Sequence, residues 1–129
     1  MARRSLILDT GAVLALVGND RRVRALYTVA QREGVDIIIP PVVVTQTVRG
    51  GASDAAVNRL LKTVFIPFVG ERLARAAGHL LGESGLADAA DAQIVAEALR
   101  RGPSTIVTSD PGDINRLAEG SPGIQVVAI

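Results

Sequence analysis

The chain has no cysteine, no tryptophan, one tyrosine (Tyr27), two phenylalanines (Phe65 and Phe68) and a single histidine, His79. Without cysteine there are no disulfides and no thiolate metal sites, which fits a reducing compartment. One histidine excludes a multi-histidine zinc centre and leaves any Ser-His-Asp triad dependent on a single residue. The sparse aromatics exclude a row of base-stacking platforms of the kind that grips single-stranded nucleic acid. No apolar run approaches the ~20 residues of a membrane span. The start, Met1-Ala2-Arg3-Arg4, enters a strand-like segment with no apolar leader, so no signal peptide is expected and the expected location is cytoplasmic.

What is present is aliphatic. The 129 residues are 48% hydrophobic, enough for one core, and no linker, repeat or low-complexity tract divides them, so residues 1–129 read as one domain. The net charge is +1, and Lys62 is the only lysine among 14 basic residues. Arginine grips phosphate and carboxylate bidentately where lysine acts as a point charge. A net charge this small implies no nucleic-acid partner by itself.

Strand-like and helix-like segments alternate. Ser5–Asp9 reads as a short buried strand, Gly11–Val17 as a helix, and Asp20 as the cap of a helix running to about Glu33. Asp36–Ile39 is a strand stopped by Pro40-Pro41, and Pro41 suits the first turn of a helix that reaches about Arg49. Ser53 or Asp54 caps the next helix. Val64–Phe68 is a strand whose Pro67 marks an edge or an end. Glu71–Leu81 and Asp88–Arg101 are helical, Thr105–Thr108 a strand, Pro111–Leu117 a short helix and Gln125–Ala128 a last strand. This alternation predicts an α/β domain with a mainly parallel sheet, whose site lies beyond the C-terminal strand ends.

Three apolar runs lead into carboxylates: Leu6-Ile7-Leu8-Asp9, Ala87-Asp88-Ala89-Ala90-Asp91 and Ile106-Val107-Thr108-Ser109-Asp110. A carboxylate beside a core is costly unless something cationic answers it. Acids converging from distant parts of a chain can hold a hard divalent cation. Each acid also has a blander reading as a helix cap, strongest for Asp88, with Asp91 at N3, and for Asp110, with Pro111 at N1 and Asp113 at N3. Asp91 stands apart. At 100° per residue, Val95 lies about 40° from it, Ala98 about 20° and Ile94 about 60°, so Asp91 falls on the face that should be buried. Gln93, Glu97 and Arg100 fall on the other side. Thr108 and Ser109 are placed to orient a carboxylate by hydrogen bonding. Gln46 is a polar residue on an otherwise apolar face, and Arg49, three residues on, could contact a phosphate at the same rim, although a solvated helix-end cation is its more ordinary reading. His79 reads as an ordinary, partly exposed histidine.

The motifs Leu8-Asp9-Thr10, Pro41 to Gly50, Ala87-Asp88-Ala89-Ala90-Asp91-Ala92 and Thr108-Ser109-Asp110, in this order, resemble the PIN-domain ribonucleases, most closely the VapC toxins of toxin–antitoxin pairs. The resemblance implies a three-layer PIN-like fold, with a central, mainly parallel sheet of about five strands flanked by helices. It implies a Mg²⁺- or Mn²⁺-dependent endoribonuclease whose catalytic, metal-holding acids are Asp9, Asp91 and Asp110, with Asp88 and Asp113 as accessory acids. It further implies an RNA substrate, a VapB-like antitoxin whose C-terminal segment lies across the site, and a homodimer. Where the family usually carries a glutamate this chain has Gln46, which leaves a catalytically weak RNA- or partner-binding domain as the alternative. Leu8-Asp9-Thr10-Gly11 also matches the Asp-Thr-Gly signature of retroviral-type aspartic proteases, a nearly all-β fold. A haloacid-dehalogenase-like phosphatase would need an acid where Gly11 stands. Gln46→Glu is expected to tighten Mn²⁺ binding measured by calorimetry, and unchanged affinity would remove Gln46 from the site.

Overall fold

Ser5–Leu8 forms β1, and all four of its residues are buried, as a strand covered on both faces requires. The computed structural model describes residues 3–129, so Met1 and Ala2, which open the leader reading, lie outside the described residues. Beside β1 run β2 (Asp36–Ile38) and β3 (Ser104–Thr108), with β4 (Ile124–Ala128) beyond β3. All pairings are parallel and the sheet order is β2-β1-β3-β4. The helices are α1 (Thr10–Val17), α2 (Arg21–Arg32), α3 (Pro41–Thr47), α4 (Ala55–Leu61), α5 (Glu71–Ser84), α6 (Ala89–Arg101) and α7 (Pro111–Leu117). Among the described residues no helix is long and apolar enough to cross a membrane.

The chain leaves β1 through α1 and α2 to reach β2 on one side, then returns across β1 to β3 and continues through α7 to β4. Right-handed crossovers running in opposite directions put their helices on opposite faces of the sheet. Consistent with this, α6 packs on β1 and β3, α7 on β4, and α1 gathers α2, α3 and α4 around itself. The crossovers diverge between β1 and β3, and open parallel sheets place their sites at that point. Helix content of this extent disposes of the all-β protease reading.

The sheet has four strands rather than about five. Val64–Phe68 contributes only a parallel bridge between Ile38 and Phe65. Phe65 N–H donates to Ile37 O, and Ile39 N–H donates to Phe65 O. The next donors along this ladder would be the nitrogens of Pro67 and Pro41, and neither carries a hydrogen. Proline on both sides ends the ladder after one residue.

Helix α3 stops at Thr47, short of Arg49, because Val48 turns extended. Asp54 does not cap α4 through its side chain. Its carboxylate reaches back to accept the N–H groups of Arg49 and Gly50. These amides, Gly50 first, hold its pKa below the usual carboxylate range.

Glu97 is the larger correction. Expected on the outer face of its helix, it is fully buried. The amphipathic reading gave α6 one covered side, whereas the sheet lies against one face and α5 and α7 against others. The charge is answered locally. Arg100 Nε donates to Glu97 Oε2 at 3.1 Å and Arg101 Nε at 2.8 Å, and Arg100 Nη2 donates to Oε1. The same arginines secure the bridged segment: Arg100 donates to Phe68 O, and the Arg101 guanidinium lies 4.8 Å from the Phe65 ring centroid. Glu97→Ala strips these partners, but both arginines are partly exposed and regain water, so the loss is expected at about 2–3 kcal/mol in urea unfolding. An unchanged urea midpoint would show that the cluster contributes nothing net.

Candidate metal centre

Asp9 follows β1 directly and is the N-cap of α1. Its Oδ1 accepts the Ala12 N–H at 2.8 Å, and its Oδ2 accepts the Ser109 N–H at 3.2 Å from the end of β3. The side chain is buried and both oxygens are held by backbone amides. The cap reading accounts for Oδ1, while Oδ2 ties the end of β1 to the end of β3.

Asp110 behaves in the opposite way. It precedes α7 but makes no side-chain cap. Its own N–H donates to the buried Thr108 Oγ1 at 2.8 Å, which fixes the backbone and leaves the carboxylate exposed. Asp113 sits one turn further on. Across the cavity, Asp88 caps α6 by accepting the Asp91 N–H at 3.0 Å. Carboxylate oxygens of Asp91, Asp110 and Asp113 all lie within 4.8 Å of one another.

Asp91 bears the electrostatic cost of this arrangement. It is buried, and its Oδ2 has no hydrogen-bond partner. Burial first, and then the charges of Asp88, Asp110, Asp113 and Asp9, push its pKa up to about 7. A cavity of about 340 Å³ opens here, with Asp9, Gln46, Asp88, Asp91 and Asp110 in its wall. No arginine or lysine is among its described lining residues. Larger grooves of about 430 and 510 Å³ flank α2, and neither brings carboxylates together.

An unpartnered buried carboxylate oxygen beside two further carboxylates suits a hard divalent cation, which takes oxygen ligands. Of the residues singled out from sequence, Asp9, Asp88, Asp91, Asp110, Ser109 and Gln46 line the cavity, while Asp113 reaches the acidic group from outside the lining. Gln46 is exposed, and its side-chain oxygen contacts the Thr10 hydroxyl. Thr10 is a wall residue that the sequence reading did not single out, although its place directly after Asp9 was a signal. Arg49 does not reach the cavity. Its Nη1 donates to the carbonyls of Thr45 and Val48, closing the end of α3. His79 pairs with Glu83 on the surface of α5 at 2.9 Å.

No protein-family model matches the chain, and no curated protein matches it. Solved structures do. The chain is similar to a chain of the DNA-bound VapBC complex from Salmonella typhimurium, at 17% identity and TM-score 0.75, covering 99% of this chain and 98% of that one. It is similar to a chain of VapBC2 from Rickettsia felis bound to a promoter DNA fragment, at 13% identity and TM-score 0.72, covering 97% and 98%. It is also similar to a chain of a toxin–antitoxin complex from Klebsiella pneumoniae, at 21% identity and TM-score 0.72, covering 96% and 99%. At these identities the likeness establishes the fold, the PIN-like fold that the motifs implied.

The Asp91 carboxyl binds its proton more tightly in the folded chain than in the unfolded one, where its pKa is about 3.9. The metal-free protein is therefore expected to lose stability as pH rises from about 4 to about 7, with the penalty fully present above that window. Asp91→Asn is expected to remove this dependence and to melt higher than wild type at pH 8 in EDTA. Parallel melting profiles from pH 5 to pH 8 would show that Asp91 carries no such cost.

Proposed function

We propose that this chain is a metal-dependent endoribonuclease, the toxin of a VapBC-type pair. The observation that carries the reading is the buried, unpartnered Asp91 oxygen among converging carboxylates, at the switch point of a sheet shared with VapBC chains. Asp91, Asp110 and Asp113 would hold the ion, with Asp9 beside them. A Mg²⁺ or Mn²⁺ ion bound there supplies charge stabilisation to the scissile phosphate and activation to water. The protein's own part is positioning. Asp9 is fixed by two backbone amides, Thr108 sets the Asp110 backbone, and Asp88 and Gln46 face the substrate from the wall. Asp91 must give up its proton for the ion to bind, so metal affinity rises with pH through about 7.

The complexes named above contain a second kind of chain, which supports a VapB-like antitoxin as partner here. Its C-terminal segment would lie across the acidic cavity, with a cation answering the carboxylates and the half-exposed Leu14 on the cavity wall offering apolar contact. A homodimer and a cytoplasmic location accompany this reading. One observation favours a second reading: Gln46 brings no charge where an acid is usual, which fits a PIN-like domain that binds RNA or a partner and cuts weakly.

The test is cleavage of RNA by purified protein with Mg²⁺ or Mn²⁺. EDTA is expected to abolish it, and Asp9→Asn and Asp91→Asn to slow it by at least about a hundredfold. Cleavage that survives EDTA would overturn the metal mechanism. Retained RNA binding with no metal-dependent cleavage would favour the second reading.

A further inference from the structure

Gly11 is the second residue of α1 and lies in ordinary helical backbone, so a left-handed conformation is not the reason for glycine there. Space is the reason. A Cβ built on Gly11 would fall 2.0 Å from Ser109 Oγ and 2.6 Å from Ser109 Cβ, while lying 3.6 Å from Asp9 Oδ1. The Ser109 hydroxyl can rotate away from such a collision. Its Cβ cannot, because that atom moves only with the backbone. The loop after β3 therefore rests directly on the bare backbone of the first turn of α1.

That loop carries the parts that set the acidic wall. The Ser109 N–H donates to Asp9 Oδ2 at 3.2 Å, and the next residue is Asp110, whose N–H is held by Thr108 Oγ1. Shifting the Ser109 backbone enough to admit a methyl group would stretch the bond to Asp9 and carry Asp110 with it. We propose that Gly11 is a positioning residue: its missing side chain is the seat on which Ser109 rests, and the seat sets the separation of Asp9 from Asp110. The consequence for metal binding rests on the reading of these acids as the metal centre. The seat itself does not.

The test uses the sign of a stability change. Alanine is the better helix former, so in a helix without a collision Gly11→Ala stabilises. Here Gly11→Ala is expected to lower the melting temperature of the metal-free protein. In the Ser109→Gly background the same substitution is expected to raise it. Ser109→Ala, which keeps the Cβ, is expected not to rescue. In calorimetry, Gly11→Ala is expected to weaken Mn²⁺ binding about tenfold, with Gly11→Ala/Ser109→Gly returning to within about threefold of Ser109→Gly alone. A higher melting temperature for Gly11→Ala in the otherwise wild-type chain overturns the seat, as does a double variant no better than the single. A seat confirmed by melting, with Mn²⁺ affinity unmoved, overturns the positioning role. Wild-type protein that binds no Mn²⁺ defeats the metal reading and the positioning role, and melting still decides the seat separately.

Discussion

The carboxylate of Asp9 is the joint on which the site depends. It accepts one amide from the first turn of α1 and one from the loop after β3, so a single side chain fixes a helix start against a neighbouring strand end. Both partners are backbone N–H groups, which donate and never accept. A neutral side chain of the same shape would present an NH₂ group to at least one of these donors. The joint adds to the backbone bond from Asp9 N–H to Val107 O and to the packing of Ser109 on Gly11, so the β3 end is held at three points.

This joint inverts the reading available from the sequence. Asp110, followed by proline, glycine and a further acid, carries the stronger signature of a cap, yet it caps nothing. Asp9, at the end of a buried strand, looks the freer acid and is the one bound on both oxygens. Capping signatures report which residue types can cap a helix. Which carboxylate finds an amide within reach is decided by the sheet register, which brings the end of β3 alongside Asp9 so that its side chain reaches the Ser109 N–H. Most strands and helices were legible because proline, glycine or a capping acid marks at least one end and aliphatic residues mark the buried face. Asp91 was legible because one helical face was clearly apolar. Glu97 was not, because α6 is covered by the sheet and also by α5 and α7, and the helical hydrophobic pattern does not reveal the second cover. The failed fifth strand lay between these cases: Pro67 was visible, but only the pairing shows that it and Pro41 stand at successive donor positions.

Asp91 and Glu97 together show how differently one helix treats two buried carboxylates. Near the C-terminal end of α6, Glu97 faces an unfavourable helix dipole, and Arg100 and Arg101 on the next turn answer it with hydrogen-bonded charge. Near the N-terminal end, Asp91 has the helix dipole in its favour and an amide-linked acid, Asp88, behind it. The neighbours it faces are further acids, and one oxygen remains bare. Arginine is abundant in this chain, so the missing counter-charge is not a matter of supply. A buried acid surrounded by acids is destabilising for the isolated fold, and stability alone would favour an amide or an apolar residue at that position. A cation from outside the chain would answer Asp91, Asp110 and Asp113 together, which is the role the proposed metal centre gives them. Glu97 is answered within the fold, whereas Asp91 stands unanswered in the cavity wall.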